Sequence, residues 1–372
     1  MGFVNSNTYR EIFHQPEMWR QTYSIISERK EEISNFLSNY YNNDVTVVFT
    51  GAGTSSYVGN ILQYLMAGYG ITNYKSVATT DLTTHANTIF LKNKKYILVS
   101  LARSGNSPES IAAVDIADSI CGDNISHIFI TCNAEGALAK REPKSNVLSL
   151  ILPDATNDKG LAMTSSFSSM LLMAMLVFDL NNVEENRAGV DKLSKKAEYM
   201  LNRYSEDIQK IAAIDFERAV FLGSGEKKGI AEECHLKLQE LTDGKVICLF
   251  DSFLGFRHGP KAALNEKTLI IYLFADDDKT LKYEIDLVVQ INQQIKPAGQ
   301  IYVAERKIEQ TEVKFDLEMV PETYENTKFD VILYVLVGQL LGLFKNVELK
   351  LDPDSPSASG KIARVVEGVT IY

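Results

Sequence analysis

Cysteine is scarce in this chain, and positive charge is nowhere concentrated. The four cysteines, Cys121, Cys132, Cys234 and Cys248, include no Cys-x-x-Cys pair, and the five histidines form no ligand pattern with them. A disulfide framework and a metal site are therefore not expected, and a reducing cytoplasm is the simple setting. The formal net charge is −10 without a Lys/Arg cluster. Nucleic acid and anionic membrane are thus not expected partners, because both demand clustered cations. The N-terminus lacks the apolar core of a signal peptide, and the longest apolar run, 170–178, is too short to span a bilayer. No Gly-x-x-x-x-Gly-Lys-Ser/Thr occurs, which sets aside a P-loop nucleotidase.

What the chain does have is length and apolar content: 372 residues, 45% of them hydrophobic, enough for two packed cores. Residues 1–43 read as helical, with Trp19, Tyr23, Ile26, Ile33, Phe36 and Leu37 near helical spacing. From 44 to 182, short apolar runs at 45–49, 76–79, 96–99, 127–131 and 147–152 alternate with helical segments, the pattern of a parallel doubly wound sheet. A polar helix follows over 183–213. Over 214–350 the pattern begins again: AVFLGSGEKKG at 219–229 matches VVFTGAGTSSY at 47–57, each a strand, a Gly-x-Gly turn and a helix. Two α/β domains of like topology are expected, with 351–372 a tail whose last segment, 365–372, reads as an edge strand.

The stretch VSLARSGNSPES (99–110) joins a buried strand to a helix. Ser107, Pro108 and Glu109 read as N-cap, N1 proline and first-turn acid. The unpaired N–H groups of that helix face back over Arg103, Ser104 and Gly105, where hydroxyls and a guanidinium add donors suited to a phosphate. An ordinary capped loop is the competing reading of the same letters. Gly53-Thr54-Ser55 also ends a strand and opens a helix, so Thr54, Ser55, Arg103, Ser104 and Ser107 can share one crevice at the strand ends. A nicotinamide site is the weaker reading there. Gly-x-Gly-x-x-Gly is not completed at Ser56, and in the repeat the third glycine comes one residue late, at Gly229.

Candidates for proton chemistry lie in the second domain. After Gly225, residues Ile230, Cys234, Leu238 and Leu241 make a core stripe, and Glu233, Lys237 and Glu240 run along its edge. They are either a partly desolvated charge group or an ordinary surface Glu233–Lys237 pair. His258, in the loop LGFRHGPK (254–261), precedes Pro260 at a helix start. An imidazole there is pushed toward its neutral form and suits a proton shuttle, or else serves as a cap.

Taken in order, Gly53-Thr54-Ser55, Ser104-Gly105-Asn106-Ser107, Leu236 to Leu241 with its Lys237 and Glu240, and His258-Gly259-Pro260 resemble the sugar isomerase (SIS) domains, present here in tandem. The chain is most similar to the galactosamine-6-phosphate deaminase and tagatose-6-phosphate ketose/aldose isomerase family, and next to the isomerase half of glucosamine-6-phosphate synthase. The resemblance implies two three-layer αβα sandwiches with parallel, flavodoxin-like sheets. It also implies a homodimer or larger assembly, with the neighbour's His-Gly-Pro loop completing each active site. By position, Arg103, Ser104 and Ser107 hold phosphate, Ser55 lies near the sugar and Thr164 lines the pocket. Glu240 matches the acid/base that moves a proton between C1 and C2, and His258 the residue that opens the ring.

Two departures stand out. No glutaminase domain with its terminal cysteine is present, so release of ammonia becomes the expected direction. The synthase's Schiff-base lysine falls at Glu367, with Lys361 out of register. The expected function is isomerisation with deamination of an amino-hexose 6-phosphate, galactosamine 6-phosphate first, without a cofactor, because the substrate's own amine supplies the imine. A deglycase, a plain ketose/aldose isomerase and a non-catalytic sugar-phosphate sensor are the alternatives.

Overall fold

The structure, a computed structural model, describes residues 2–141, 146–309, 311–358, 360–365 and 368–372. Three helices open the chain: α1 (Asn7–Phe13), α2 (Gln15–Glu28) and α3 (Lys30–Tyr40). There follow β1 (Val45–Thr50), α4 (Thr54–Leu65), β2 (Tyr74–Ser76), α5 (Thr79–Ile89), β3 (Lys95–Ala102), α6 (Pro108–Cys121), β4 (Ile125–Thr131), β5 (Val147–Ile151) and α7 (Ser165–Phe178). A long α8 (Val183–Ala212) leads to β6 (Arg218–Gly223), α9 (Glu226–Leu241), β7 (Ile247–Asp251) and the one-turn α10 (Phe253–Phe256). Last come β8 (Thr268–Leu273), α11 (Asp278–Gln294), β9 (Gly299–Val303), β10 (Leu317–Met319) and α12 (Val335–Glu348).

These elements form two compact units. One comprises Glu17–Asp158, Met163–Val190 and Ile362–Tyr372; the other comprises Met1–Pro16, Lys159–Ala162 and Asp191–Lys361. The first holds a parallel sheet in the order β2-β1-β3-β4-β5. Its apolar runs are buried as the central strands of such a sheet must be, with Phe49 opposite Val99 and Val99 opposite Ile128. Val48, Leu98, Val114, Ala117 and Phe129 join one core cluster, and every residue of α7 is buried. The second unit repeats the topology as β7-β6-β8-β9-β10. Both are α/β sandwiches with the flavodoxin-like strand order, as the alternation predicts.

The repeat reaches down to individual torsions. Gly53 and Gly225 precede α4 and α9 at φ +54° and +58°, a left-handed region open to glycine. Two residues earlier, a Cβ on Gly51 would come 2.6 Å from the Ser55 carbonyl carbon, and one on Gly223 would come 2.4 Å from the Lys227 carbonyl oxygen. One tight turn thus feeds the helix that follows the first strand of each unit.

Three expectations need correcting. The second strand is Tyr74–Ser76, not 76–79, because Thr79 already begins α5 with Ala78 as its extended N-cap. The fifth ends at Ile151 rather than Leu152, although Leu152 N still donates to Thr131 O at 2.9 Å. Among the described residues of 365–372 there is no strand. Residues Asp330–Glu348 have the length and apolarity of a membrane span, yet that stretch is 94% buried within the fold.

Asp354, in the segment after α12, caps the start of α1. Its carboxylate accepts from Asn7 N (2.9 Å), Asn7 Nδ2 (2.9 Å), Thr8 N (2.8 Å) and Thr8 Oγ1 (2.9 Å).

Candidate active site

In the first unit the chain turns from β3 into α6 through residues 103–107, and the predicted cap is present. Ser107 is extended (φ −64°, ψ 137°), its Oγ accepts from Ser110 N at 3.3 Å, and Pro108 sits in the first turn. The neighbouring segment braces the loop. Asn133 Nδ2 donates to Ser104 O (3.0 Å), Leu138 N to Gly105 O (3.2 Å), and Ala137 N to Asn106 Oδ1 (2.8 Å). Thr131 Oγ1 reaches Arg103 O at 3.3 Å. Arg103 is only 7% exposed, so its charge is held where water screens it little.

Thr54 and Ser55, both buried, occupy the first turn of α4, at the end of the strand adjacent to β3. Ser55 Oγ lies 3.9 Å from Met163 Sδ. The ends of β1 and β3 therefore carry two helix N-termini and the hydroxyls on them at one sheet edge. Burial pushes the Cys132 thiol up to about 12, opposed by a hydrogen bond with Thr156 and by the charges of Arg103 and Arg364.

Thr164 is fully buried, its hydroxyl directed to Asp158 Oδ1 at 3.3 Å. Asp158 was not singled out in the sequence, and it organises this region. Its carboxylate accepts Thr164 N (2.8 Å), Ser165 N (3.2 Å), Ser166 N (3.0 Å), Ser165 Oγ (2.8 Å) and Ser166 Oγ (2.5 Å). It thus satisfies the first N–H groups of α7, a buried helix end that water cannot serve. Asp158→Ala is expected to cost about 2–3 kcal/mol, since several buried donors lose their acceptor. Urea denaturation measures it; a loss below about 1 kcal/mol would mean that the hydroxyls find other partners.

In the second unit α9 presents Glu233, Lys237 and Glu240. The surface-pair reading gives way here: Glu233 and Lys237 are 0% exposed, and Glu240 retains 16%. Lys237 Nζ stands 3.3 Å from Glu233 Oε1 and donates to Glu240 Oε1. Burial works against the ammonium, but the two carboxylates outweigh it and hold Lys237 above the ordinary lysine range. Close packing of α12 explains the burial: a Cβ on Gly338 would lie 2.5 Å from Cys234 Cβ, and one on Gly342 would lie 2.9 Å from Lys237 O. Of these three side chains only Glu240 is partly exposed.

His258 is exposed, after the Ser252-capped turn of α10. Its backbone N donates to Gly255 O at 2.9 Å. The helix expected at Pro260 is a single 3-10 turn, Pro260–Ala263. Glu367 lies outside the described residues. Where the first unit has Arg103 to Ser107, the second has Asp276, Asp277 and Asp278, with Arg306 engaging Asp276 (3.3 Å) and Asp278 (2.5 Å). At matching places the two sheets thus carry different side chains, hydroxyls and an arginine in one and carboxylates in the other. Among the described residues no three His, Cys, Asp or Glu side chains are grouped to hold a metal ion.

Duplicated topology with one hydroxyl-and-arginine loop defines a protein of the tandem SIS-domain class, and the SIS domain pattern matches residues 40–180. A D-galactosamine-6-phosphate deaminase AgaS from Shewanella sp. is 33% identical, over 98% of this chain and 91% of that one. The crystal structure of tagatose-6-phosphate ketose/aldose isomerase from Escherichia coli matches with a TM-score of 0.90 at 28% identity, covering 99% of this chain and 97% of that one. A glutamine–fructose-6-phosphate aminotransferase (isomerizing) from Pyrobaculum aerophilum is 25% identical over 96% of this chain and 57% of its own length. Within the SIS class, the chain belongs to the AgaS family.

Proposed function

We propose that this chain is an aldose-ketose isomerase and deaminase that converts galactosamine 6-phosphate to tagatose 6-phosphate and ammonium. The observation that carries the reading is Glu240, a partly open carboxylate set against a buried ammonium on α9. His258 assists ring opening. Glu240 takes the C2 proton, giving an enolamine, and returns a proton to C1. The resulting 2-imine adds water and loses ammonia, leaving the C2 ketone. Lys237 orients Glu240 through its hydrogen bond. Arg103, Ser104, Ser107 and the α6 N-terminus bind the phosphate, with Thr54 and Ser55 toward the sugar and Thr164 behind them. Such remote binding energy positions C1 and C2 for proton transfer. Ionic groups buried as deeply as Glu233 and Lys237 are costly to keep, which favours catalysis over mere sensing.

The exposed His258 supports an assembly of two or more copies in which this loop completes a neighbour's site. Four free, buried cysteines fit a cytoplasmic setting.

Ammonium release from galactosamine 6-phosphate, glucosamine 6-phosphate and their N-acetyl forms tests the function. Release from the galacto substrate alone is expected. Ketose formation from an aldose phosphate without ammonium would favour plain isomerisation, the activity named for the Escherichia coli structure. The double variant Arg103→Ala/Ser104→Ala is expected to weaken sugar-phosphate binding by about 100-fold or more, since charge-assisted bonds of roughly 1.5–3 kcal/mol each are lost. Calorimetry reads it; unchanged affinity would overturn the phosphate assignment.

A further inference from the structure

Among the described residues, the C-terminal tail meets the loop assigned to phosphate at Arg364. Arg103 Nη2 donates to the backbone carbonyl of Arg364. The Arg364 side chain in turn grips the segment before α7: Nε donates to Asp158 O at 2.7 Å, and Nη2 donates to Asn157 Oδ1 at 2.8 Å and Asn157 O at 3.5 Å. Asp158 is the residue whose carboxylate anchors Thr164, Ser165 and Ser166. A short chain of bonds therefore runs from α7 through Asp158 and Arg364 to the Arg103 guanidinium.

We infer that Arg364 is a positioning residue for phosphate recognition, acting through its backbone carbonyl on the Arg103 guanidinium. The inference rests on the reading of the 103–107 loop as the phosphate site. A guanidinium is a planar fork with five N–H donors, and its value in recognising a phosphate depends on how that plane is turned. The backbone of Arg103 is held by Thr131, but four rotatable bonds separate it from the fork. The tail carbonyl holds the far end. Arg364 can present that carbonyl only while its own fork spans Asp158 O and Asn157 Oδ1, a two-point grip that an ammonium cannot reproduce. Its charge faces these acceptors and takes no part in binding the anion. The tail thus belongs to the anchor without touching the phosphate.

The test compares Arg364→Ala, Arg364→Lys, Arg103→Ala and the double variant Arg103→Ala/Arg364→Ala in the full-length protein. KM and kcat are measured for galactosamine 6-phosphate, with inorganic phosphate as a competing probe. Arg364→Ala is expected to raise KM and the phosphate inhibition constant about 10-fold, the worth of one ordering hydrogen bond, with kcat within about twofold. Arg364→Lys should behave like Arg364→Ala. In the double variant the Arg103→Ala loss should absorb the Arg364 loss, because one residue acts through the other. Additive losses, rescue by Lys, a fall in kcat alone, or no change in Arg364→Ala would each overturn the inference. If Arg103→Ala itself binds phosphate normally, the phosphate assignment of the loop fails instead. Should Arg364→Ala prove unstable, Asn157→Ala removes one arm of the grip and is expected to raise KM about threefold, again without effect in an Arg103→Ala background.

Discussion

Glu240→Gln is expected to lower kcat by about 10²–10⁴-fold while KM for the amino-sugar phosphate changes little, the usual scale for losing a general base. The amide has nearly the carboxylate's shape and can still accept a hydrogen bond from Lys237, so packing along α9 is preserved. What it cannot do is take a proton from C2. Under the proposed reading, binding resides in Arg103, Ser104 and Ser107, which the substitution leaves alone. Steady-state kinetics with ammonium detection, together with solvent exchange of the C2 proton, separates the two effects. Full turnover in Glu240→Gln would end the assignment of Glu240 as the base, whatever the substrate.

Lys237→Met is expected to cost stability more than any other single change discussed here, about 3–5 kcal/mol, because it leaves Glu233 fully buried without its cation. Turnover should fall as well, since the same ammonium bears on Glu240. The pH dependence has a definite sign. Lys237 is held above its ordinary value in the fold, so its contribution is complete below the unfolded lysine value of about 10.4 and disappears as pH rises through the higher folded value. Between neutral pH and about 9 the wild-type contribution is therefore flat. In the variant a buried carboxylate takes up a proton more readily than in the unfolded chain, so its deficit shrinks in acid. Denaturation at pH 5, 7 and 9 tests this pattern; a deficit independent of pH and below about 1 kcal/mol would assign the triad the energetics of a surface pair.

How much of this was legible in advance depends on how local each cause is. Strands β1, β3 and β4 are apolar runs bounded by turn residues, and α6 announces itself by Ser107, Pro108 and Glu109. β2 is different: Tyr74, Lys75 and Ser76 are only half-buried at the sheet edge, so the apolar signal falls on the residues just after them. The alternation of 365–372 resembles a strand, but such a pattern cannot say whether a ladder partner exists; among the described residues the tail is held at Arg364, by its side-chain fork and by the bond its carbonyl accepts from Arg103.

The site residues follow the same logic. The donor types around Arg103 and the spacing of Glu233, Lys237 and Glu240 could be read locally. That Lys237 is buried could not, because the cause lies in Gly338 and Gly342 on α12, far along the chain. Asp158 escaped notice for a similar reason: it precedes the groups it caps by six to eight positions, outside any local capping pattern.

The grip of Asp354 on Asn7 and Thr8 joins positions 347 and 346 apart in sequence. During synthesis, Met1–Pro16 is made well before Asp191–Lys361, the bulk of the unit it belongs to. The intervening unit has almost all of its chain available much earlier. In vectorial synthesis the first helix therefore has only its local Ser6 cap until residue 354 has been made. A long loop-closure step of this kind is entropically cheap at equilibrium but slow to find. The start of α1 is thus completed by a segment made more than three hundred residues later.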